Sequence, residues 1–465
     1  MNFFVRTRRR PRFTRRVAAT LLALALVLPV SALWAGGPAK PVYTLEDCLA
    51  LVRRQNPDVV AAAKRVDAAQ AAITTAKAPL YPSLTSTGYI QYREQNLTTQ
   101  GGEQPTNRKE DYAADVRLSQ NLYSAQAVRN RIAAAKLQLE AETNTYQAQV
   151  DTSTLAARMA FYQTLYAESS IAVQQEAVDL LGTQLKDQQD RFAAGSVGQL
   201  NVNRAQVALA NEQPGLLAAQ SSVQTAYVAL AQLLGVAYPA DARERPFRVR
   251  GELSCPPVRL TLAECLARAQ SLRPEVASRR AVVDALKRLI TVEKSATRPQ
   301  VNAFVAYDIY SEPSILSTRD NFSGATVGVQ ASWTLFDGFA TRGRVRSAQA
   351  QVAQAQAQLE GTRQQVEADV RTAFYDLQLA RETLPPLAST VRLATEAQNL
   401  SSRNFDAGLS SQLDVLQTRV DLTRTRVGEL AARLRYHQAL ARLERAIGMG
   451  RPTQGSATVH PIPGK

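Results

Sequence analysis

The stretch RFAAGSVGQLNV, Arg191–Val202, occurs again 213 residues later as NFDAGLSSQLDV, Asn404–Val415. Both versions place Phe three residues before a Gly and Gln-Leu four residues after it, between long segments rich in Ala, Gln and Leu. Because Gly takes a positive φ without a Cβ clash, it is common just after the end of a helix. The stretch therefore predicts a tight turn between two long helices, made twice, with Gly195 and Gly408 in the left-handed conformation.

The repetition extends over most of the chain. TLEDCLALVRRQNPDVVAA, from Thr44, matches TLAECLARAQSLRPEVASR, from Thr261, at an offset of 217 that holds as far as Pro82 and Pro299. From Leu122 and Leu335 onward the offset is 213. Two constant offsets predict a tandem duplication. The four extra residues of the first copy fall near QNLTTQGGEQPTNRKED, residues 95–111, which we expect to be an exposed loop because it is polar and contains Gly and Pro.

The duplication divides the chain into five predicted segments. These are a signal peptide (1–35), a first repeat (42–235), a linker (236–260), a second repeat (261–448) and a C-terminal tail (449–465). Each repeat is predicted to contain a short amphipathic helix, a second helix opened by Pro57 or Pro274, a β-hairpin and a long helical hairpin. The β-hairpins are expected at 84–122 and 301–335, and the helical hairpins at 124–235 and 338–448.

The N-terminus has the layout of a secretory signal peptide. Seven arginines precede an apolar run from Val17 to Val30, and small residues follow. That run is shorter than the roughly 18 residues of a spanning helix, so a retained anchor is the weaker alternative, as is twin-arginine export. Without the seven arginines the formal charge falls from +15 to +8. No concentrated basic face with interleaved aromatics remains, which argues against nucleic-acid binding.

The segment ATVGVQASWTL, 325–335, alternates strictly between apolar and small or polar residues, which predicts a strand with one apolar face. Four strands of about ten residues have the length of tilted membrane-spanning strands. Open sheet edges cannot lie in lipid, and outer-membrane barrels have at least about eight strands, so a spanning sheet would require association of chains. An ordinary soluble sheet is the alternative. In a barrel, the aromatic residues at the membrane interfaces would be Tyr89, Tyr92, Tyr123, Phe304, Tyr307, Tyr310, Trp333 and Phe336.

The helical segments after each β-hairpin, 124–191 and 338–405, are unusually long. At about 1.5 Å per residue, 68 residues extend on the order of 100 Å. Pro385-Pro386 lies inside the second segment, and Pro214 lies inside the first return helix. Either the helices end there or they bend, and the helical pattern on both sides favours a bend.

Few residues are suited to chemistry. Cys48 and Cys265 are equivalent in the two copies and are interpreted as apolar core residues rather than as redox groups. His437 and His460 are expected on the surface. We therefore predict no catalytic site, no cofactor and no metal site.

Taken in order, these features resemble the TolC-like family of outer-membrane efflux proteins. The resemblance rests on the signal peptide, the duplicated halves, the two Gly turns, the Asn56-Pro57 and Arg273-Pro274 helix starts, and the strand starts Tyr81-Pro82-Ser83-Leu84 and Arg298-Pro299-Gln300-Val301. It implies a mainly α protein with β: a homotrimer whose twelve-stranded transmembrane barrel, in outer-membrane lipid, continues as a twelve-helix periplasmic tunnel with an equatorial domain. The implied function is a passive exit duct that works with a periplasmic membrane-fusion adaptor and an inner-membrane pump, and it leaves drugs, metal ions and polypeptides open as cargo.

The resemblance also assigns roles to residues of the two turns. Relatives narrow the tunnel with two acidic side chains three residues apart, at positions matched here by Asp414 and Gln417, and Asn201 is the counterpart of Asp414 in the first copy. Phe405 and Ser410 stand where some relatives use Tyr and Arg to link helices, which puts that link in doubt. Asp414 has a second interpretation, as an acid favoured by the dipole at a helix N-terminus. The tips expected to meet the adaptor are Arg191, Phe192, Gly195, Ser196, Gly408 and Leu409.

Two other functions share several of these features. A periplasmic adaptor also has a signal peptide and a helical hairpin, but it would carry one hairpin within β-rich domains, whereas this chain has two. A secreted or periplasmic coiled-coil structural protein without a channel is the remaining alternative.

Overall fold

The computed structural model of the chain describes residues 40–92, 96–99, 102–105, 110–239, 245–311 and 321–449. The predicted signal peptide, His460 and the tail beyond residue 449 lie outside these ranges.

The elements follow the predicted order in each copy. The first copy comprises β1 (Val42–Tyr43), α1 (Leu45–Gln55), α2 (Pro57–Lys77), β2 (Ser83–Tyr92), β3 (Asn96–Thr99), β4 (Gly102–Pro105), β5 (Glu110–Tyr123), α3 (Ala127–Ala193) and α4 (Gln199–Leu234). The linker contains β6 (Arg248–Val249), and the second copy comprises α5 (Leu262–Leu272), α6 (Pro274–Lys294), β7 (Gln300–Ser311), β8 (Asn321–Ser332), α7 (Ala340–Asp406) and α8 (Gln412–Ala446). Strand β6 of the linker pairs in parallel with β1 of the first copy.

The segment predicted as an exposed loop contains two short strands. Strands β3 and β4 pair there as a small antiparallel ladder. The β-branched Thr98 and Thr99 favour an extended backbone, and the polar composition of the segment hid that preference.

The start of each short helix is fixed by local hydrogen bonds. Thr44 and Asp47 form a reciprocal capping box at α1, and Thr261 with Glu264 repeats it at α5. Such a box satisfies amide groups that lack partners within the helix. Pro57 then opens α2 at a position where a backbone N–H is not needed.

The main sheet is antiparallel with the order β2-β5-β7-β8, so the central β5–β7 ladder joins the two copies. One transverse row of paired residues runs Leu84, Leu118, Val305, Val327 across all four strands. The residues that share its face are mainly apolar and exposed, including Ile90, Val116, Tyr307, Ile309 and Val329. The opposite face carries polar groups such as Thr87, Asp115, Arg117, Asp308, Thr326 and Gln330. The sheet therefore presents an apolar side without any packing layer from the described part of the chain.

Two apolar cores form the waist, one in each copy. The first is built around Phe161, Tyr227 and Phe247, and the second around Val370, Tyr436 and Leu443. Cys48 and Cys265 are free and completely buried in these cores, as their interpretation as apolar residues requires. Burial raises the pKa of the Cys48 thiol to about 12, which keeps it in its uncharged form.

The prediction that His437 lies on the surface is wrong. Its side chain is 5% exposed and stacks on Tyr162 with ring centroids 4.1 Å apart, because α3 and α8 pack against each other at this height. Burial lowers the pKa of the imidazole, so the neutral ring is the stable form there.

Helices α4 and α7 continue through their internal prolines. The alternative that the helices end at Pro214 or at Pro385-Pro386 is therefore wrong. A proline leaves the carbonyl four residues earlier without its helical donor, which favours a local bend. The bend itself stays a prediction. None of the helices in the described ranges has the length and apolar character needed to cross a membrane.

Candidate functional site

The two helical turns have the predicted conformation. Gly195 has φ +73° and Gly408 has φ +74°. In the first turn the Ser196 amide donates to the Arg191 carbonyl at 2.8 Å, and the Gly195 amide donates to that of Phe192 at 2.9 Å. This paired arrangement is the Schellman motif, and the same two bonds close the second turn. The left-handed glycines predicted from sequence are confirmed.

Replacing Gly408 with Ala is expected to lower the free energy of unfolding by about 1 kcal/mol, because an L-residue at positive φ is strained. A Cβ there would meet no atom within 4 Å, so the effect isolates the backbone conformation. The matched control is Gly428→Ala inside α8, where a Cβ is equally unobstructed and Ala favours the helix, so stability should rise. Urea unfolding followed by circular dichroism measures both, and a shift of the same sign in both variants would contradict the interpretation.

The two turns contact each other. The Arg191 guanidinium lies 3.0 Å from the Asp187 carboxylate and 3.8 Å from that of Asp406, and its central carbon lies 5.4 Å from the centre of the Phe405 ring. Gln412 at the start of α8 donates to the Asn201 carbonyl of α4 at 3.0 Å. Arg191 thus contacts Phe405 across the copies, and Asn201 contacts Gln412 in a separate hydrogen bond, whereas the sequence had assigned Arg191 only to the exposed tip.

Each turn exposes one large apolar side chain. Leu409 is 79% exposed and Phe192 is 44% exposed. Gly195 and Ser196 follow Phe192 on the first turn. On the second turn, Ser410 is turned inward and donates to the Ser401 carbonyl at 3.1 Å. Ser410 therefore contacts its own hairpin in this chain.

Asp414 is the third residue of α8 and closes a capping box with Ser411. Its carboxylate accepts from the Ser411 hydroxyl at 2.8 Å and from the Ser411 amide at 2.9 Å. These hydrogen bonds hold the pKa of the Asp414 carboxyl below its usual value, so the group is charged at neutral pH. The interpretation of Asp414 as a helix N-terminal acid is thereby confirmed, and the same side chain remains exposed to solvent.

A second acid on the same helix face was missed from the sequence. Gln417, which the resemblance matched to a second acid, donates to Asp421 at 3.2 Å. Residues 414, 417 and 421 are spaced by three and four, which places them on one side of α8. Asp414 and Asp421 therefore form an acidic pair on one side of α8. Asp421 lies one turn beyond Gln417, the position matched to the second acid.

A polar seam between α3 and α8 joins the two copies from the waist to the turns. Arg426 donates to Glu176 at 2.9 Å, and Arg419 donates to Gln184 at 2.5 Å. Nearer the waist, Arg445 donates to Thr152 at 3.0 Å and Arg158 pairs with Glu444. Residue numbers rise along α3 as they fall along α8, so the helices run antiparallel in a fixed register. The sequence signal for these contacts was the spacing of seven between Arg419, Arg426 and Arg433.

The long helices pack with α3 on α4, α7 on α8, and α3 on α8. Exposed apolar residues recur at heptad-like spacing on the flanking helices α4 and α7. These residues are Leu200, Val207 and Val228 on α4, and Leu379, Leu393 and Leu400 on α7. A repeat of seven marks a side suited to pairing with another helix.

The predicted interfacial aromatics fall into two groups. Tyr92 and Tyr307 lie on the apolar face. Trp333 follows β8 and donates to the Thr297 carbonyl at 3.0 Å, and Phe336 packs on Phe339 just before α7, so both lie at the helical end of the sheet.

Three of the other aromatics are not on that face. Tyr89 and Tyr310 both pair with Ala113, which places them on the polar face together with Phe304, whose ring lies 4.2 Å from the Arg117 guanidinium carbon. The pairing register points alternate residues to opposite sides, so these three share the face opposite Tyr92 and Tyr307, and their assignment to a girdle stays a prediction.

Comparison with known proteins gives consistent results. The sequence profile of the family described as outer membrane efflux protein matches residues 49–236 and 265–449, one match in each copy. The chain is 26% identical to the cobalt-zinc-cadmium resistance protein CzcC of Cupriavidus metallidurans, over 91% of this chain and 93% of CzcC. It is 21% identical to the outer membrane protein TolC of Vibrio cholerae, over 93% of this chain and 95% of TolC.

The fold matches a solved channel at the level of the whole chain. The CmeC outer membrane channel of Campylobacter jejuni superposes with a TM-score of 0.73 at 15% identity, covering 87% of this chain and 86% of CmeC. With a duplicated fold and a family match in each copy, the chain belongs to the outer membrane efflux protein family and is a protein of the cell outer membrane.

Proposed function

We propose that this protein is the outer-membrane exit duct of a tripartite efflux or type I secretion system, formed by three copies of the chain. An inner-membrane pump supplies the energy, a periplasmic membrane-fusion adaptor links the pump to the duct, and cargo passes through without chemical change. The observation that carries the proposal is a four-stranded sheet with an apolar exposed face and two outer strands, β2 and β8, that each pair with a single neighbour among the described strands.

The sheet supports association of chains. Backbone groups without partners are too costly in lipid, so a spanning sheet must close on itself. Four strands are fewer than the roughly eight of the smallest outer-membrane barrels. Pairing β2 of one chain with β8 of the next closes the sheet, and three copies supply twelve strands. The apolar face then contacts lipid, and the polar face with Asp115, Arg117 and Asp308 lines the interior.

The helices favour the same arrangement. Their apolar heptad residues lie on α4 and α7, at the two flanks of the protomer. Packing α4 of one chain against α7 of the next buries both flanks and closes a tunnel of twelve helices. A coiled-coil structural protein without a channel would leave the apolar face of the sheet in water, which argues against that alternative.

The narrow end of the tunnel lies at the turns in this proposal. Three copies of Asp414, with Asp421 two turns away on the same face, form an anionic entrance that favours cations. The exposed Phe192 and Leu409 provide six apolar tips for the adaptor, and the left-handed Gly195 and Gly408 set the shape of these tips.

Reconstitution of the full chain in planar bilayers tests this function. Stepwise ionic currents are expected, and Asp414→Asn should lower the permeability ratio of cations to anions about two- to threefold, a charge effect of a fraction of a kcal/mol. Because hydrogen bonds lower the pKa of Asp414, the wild-type ratio should be flat from about pH 5 to 8 and fall only below about pH 4.

The matched control is Asp47→Asn. Asp47 closes the same kind of capping box at α1, away from the turns, so this variant weakens a cap without changing the entrance charge. Absence of any current from folded protein would overturn the duct, whereas currents whose selectivity is unaffected by Asp414→Asn would overturn only the anionic entrance.

A further inference from the structure

A cavity of about 230 Å³ lies among the four long helices near the turns. Its apolar wall includes Leu180 and Leu181 of α3 and Leu422 of α8, and α4 and α7 contribute Glu212 and Gln398. We call it the four-helix cavity. It is separate from the Asp414 face, since residues 414, 417 and 421 are not in its lining.

Arg419 in this lining carries a charge without a carboxylate partner within salt-bridge distance among the described residues. Its guanidinium donates to the amide oxygen of Gln184 at 2.5 Å and to the Leu180 carbonyl at 3.4 Å, both neutral acceptors. The Nε atom is buried and has no acceptor in the described part of the chain. Burial also lowers the pKa of the guanidinium, the direction expected of a cation removed from water.

The second arginine of the cavity provides a contrast. Arg426 pairs with Glu176 at 2.9 Å, so its charge is compensated within the protein. Glu212 forms no ion pair with either arginine in the described ranges. A buried charge is unfavourable unless it is paired and its hydrogen-bonding groups are satisfied. Arg419 is therefore the group of this cavity that an anion would stabilise.

The size of the cavity limits the ligand. A cavity of about 150 Å³ lined by apolar side chains accommodates benzene. At about 230 Å³, the four-helix cavity has room for roughly ten non-hydrogen atoms. Apolar walls with a few convergent polar groups are typical of sites for small molecules, and Arg419 is the cation of this lining without a carboxylate partner among the described residues.

We propose that the four-helix cavity binds a small aromatic or aliphatic carboxylate, whose apolar part packs on Leu180, Leu181 and Leu422 and whose carboxylate pairs with Arg419. The ligand contacts helices of both hairpins at once. Binding of the ligand would hold the two hairpins together and disfavour opening of the duct, an effect that rests on the proposed function.

Binding is tested with 4-fluorobenzoate and the detergent-solubilised full chain, followed by ¹⁹F NMR. Saturable binding is expected, and the neutral isostere 4-fluorobenzamide should not saturate over the same range, a comparison that requires no variant. Arg419→Gln should weaken benzoate binding at least tenfold. Arg424→Gln changes the same charge on an exposed side chain of the same helix outside the cavity, and should stay within twofold.

A second variant tests the cavity without altering the charge. Ala177 is in the lining, and Ala177→Leu should fill part of the space and weaken benzoate binding. Equal binding of the benzamide, unchanged binding to Arg419→Gln, or no saturation at all would each overturn the site. Bilayer recordings distinguish the two proposals. Currents without benzoate binding would contradict the carboxylate site and support the duct. Benzoate binding without currents would support the site and contradict the duct.

Discussion

Replacing Val327 with Arg is expected to prevent insertion of the sheet into the outer membrane, at a cost of about 2 to 4 kcal/mol per chain. Val327 is 75% exposed and lies in the transverse row with Leu84, Leu118 and Val305. Val327 lies near the middle of β8 on the apolar face, where an added cation would meet hydrocarbon in the proposed barrel. Each of the three chains in one barrel carries the substitution, so the free-energy cost of inserting the barrel is about three times the cost per chain.

The neighbouring position provides the matched control. Thr326 is on the same strand but on the polar face, opposite Ala306. Thr326→Arg should therefore insert almost as well as the wild type. Separation of membranes on a density gradient, with quantification of folded protein in the outer-membrane fraction, measures both variants. Equal loss in both, or normal insertion of Val327→Arg, would contradict the assignment of the faces.

Replacing Arg273 with Met is expected to destabilise the waist by about 3 to 5 kcal/mol. The Arg273 side chain is 5% exposed and bridges Glu275 at 3.0 Å and Asp369 of α7 at 3.3 Å. It also donates to the Ala446 carbonyl at 3.5 Å near the end of α8. Loss of the guanidinium removes the ion pair of Asp369 and the donor to the Ala446 carbonyl, while Glu275 keeps Arg445 at 3.4 Å.

The duplication provides the control for this prediction. Asn56 holds the equivalent position in the first copy and donates to the Leu233 carbonyl at 2.9 Å, the counterpart of the Ala446 carbonyl. Asn56 also caps α2 but forms no ion pair, so Asn56→Ala should cost only about 1 kcal/mol.

A double variant distinguishes the charge from the packing. Arg273→Met with Asp369→Leu replaces a buried ion pair by apolar contacts, which is often close to neutral, so most of the loss should be recovered. Chemical denaturation followed by circular dichroism measures the three variants. Equal destabilisation in the single and the double variant would show that the ion pair is not the cause.

The features predicted correctly from sequence depend on local interactions. The glycine turns need positive φ at Gly195 and Gly408, and the α8 cap needs an acid at Asp414 beside Ser411. The alternation in 325–335 gives the strand one apolar and one polar face, whichever element the strand packs against. Such signals lie within a few residues of one another, so the sequence alone carries them.

The features that sequence reasoning missed depend on packing between distant elements. His437 is buried because α3 passes over it, and Tyr89 lies on the polar face because of the register between β2 and β5. Gln126 and Phe339 adopt positive φ before the long helices although neither is Gly. The partners of Arg419 and Arg426 are on α3, roughly 240 residues away in the chain. Each of these features depends on contacts between elements far apart in the sequence, so it can be identified only once the three-dimensional structure is known.

In the proposed duct, each chain supplies one third of the closed wall. Native mass spectrometry of the full chain, released from detergent or nanodiscs, measures how many chains associate. We expect a complex of three chains, because both edges of the sheet and both flanks of the helical layer are then covered. A stable single chain in the membrane-inserted state would contradict it.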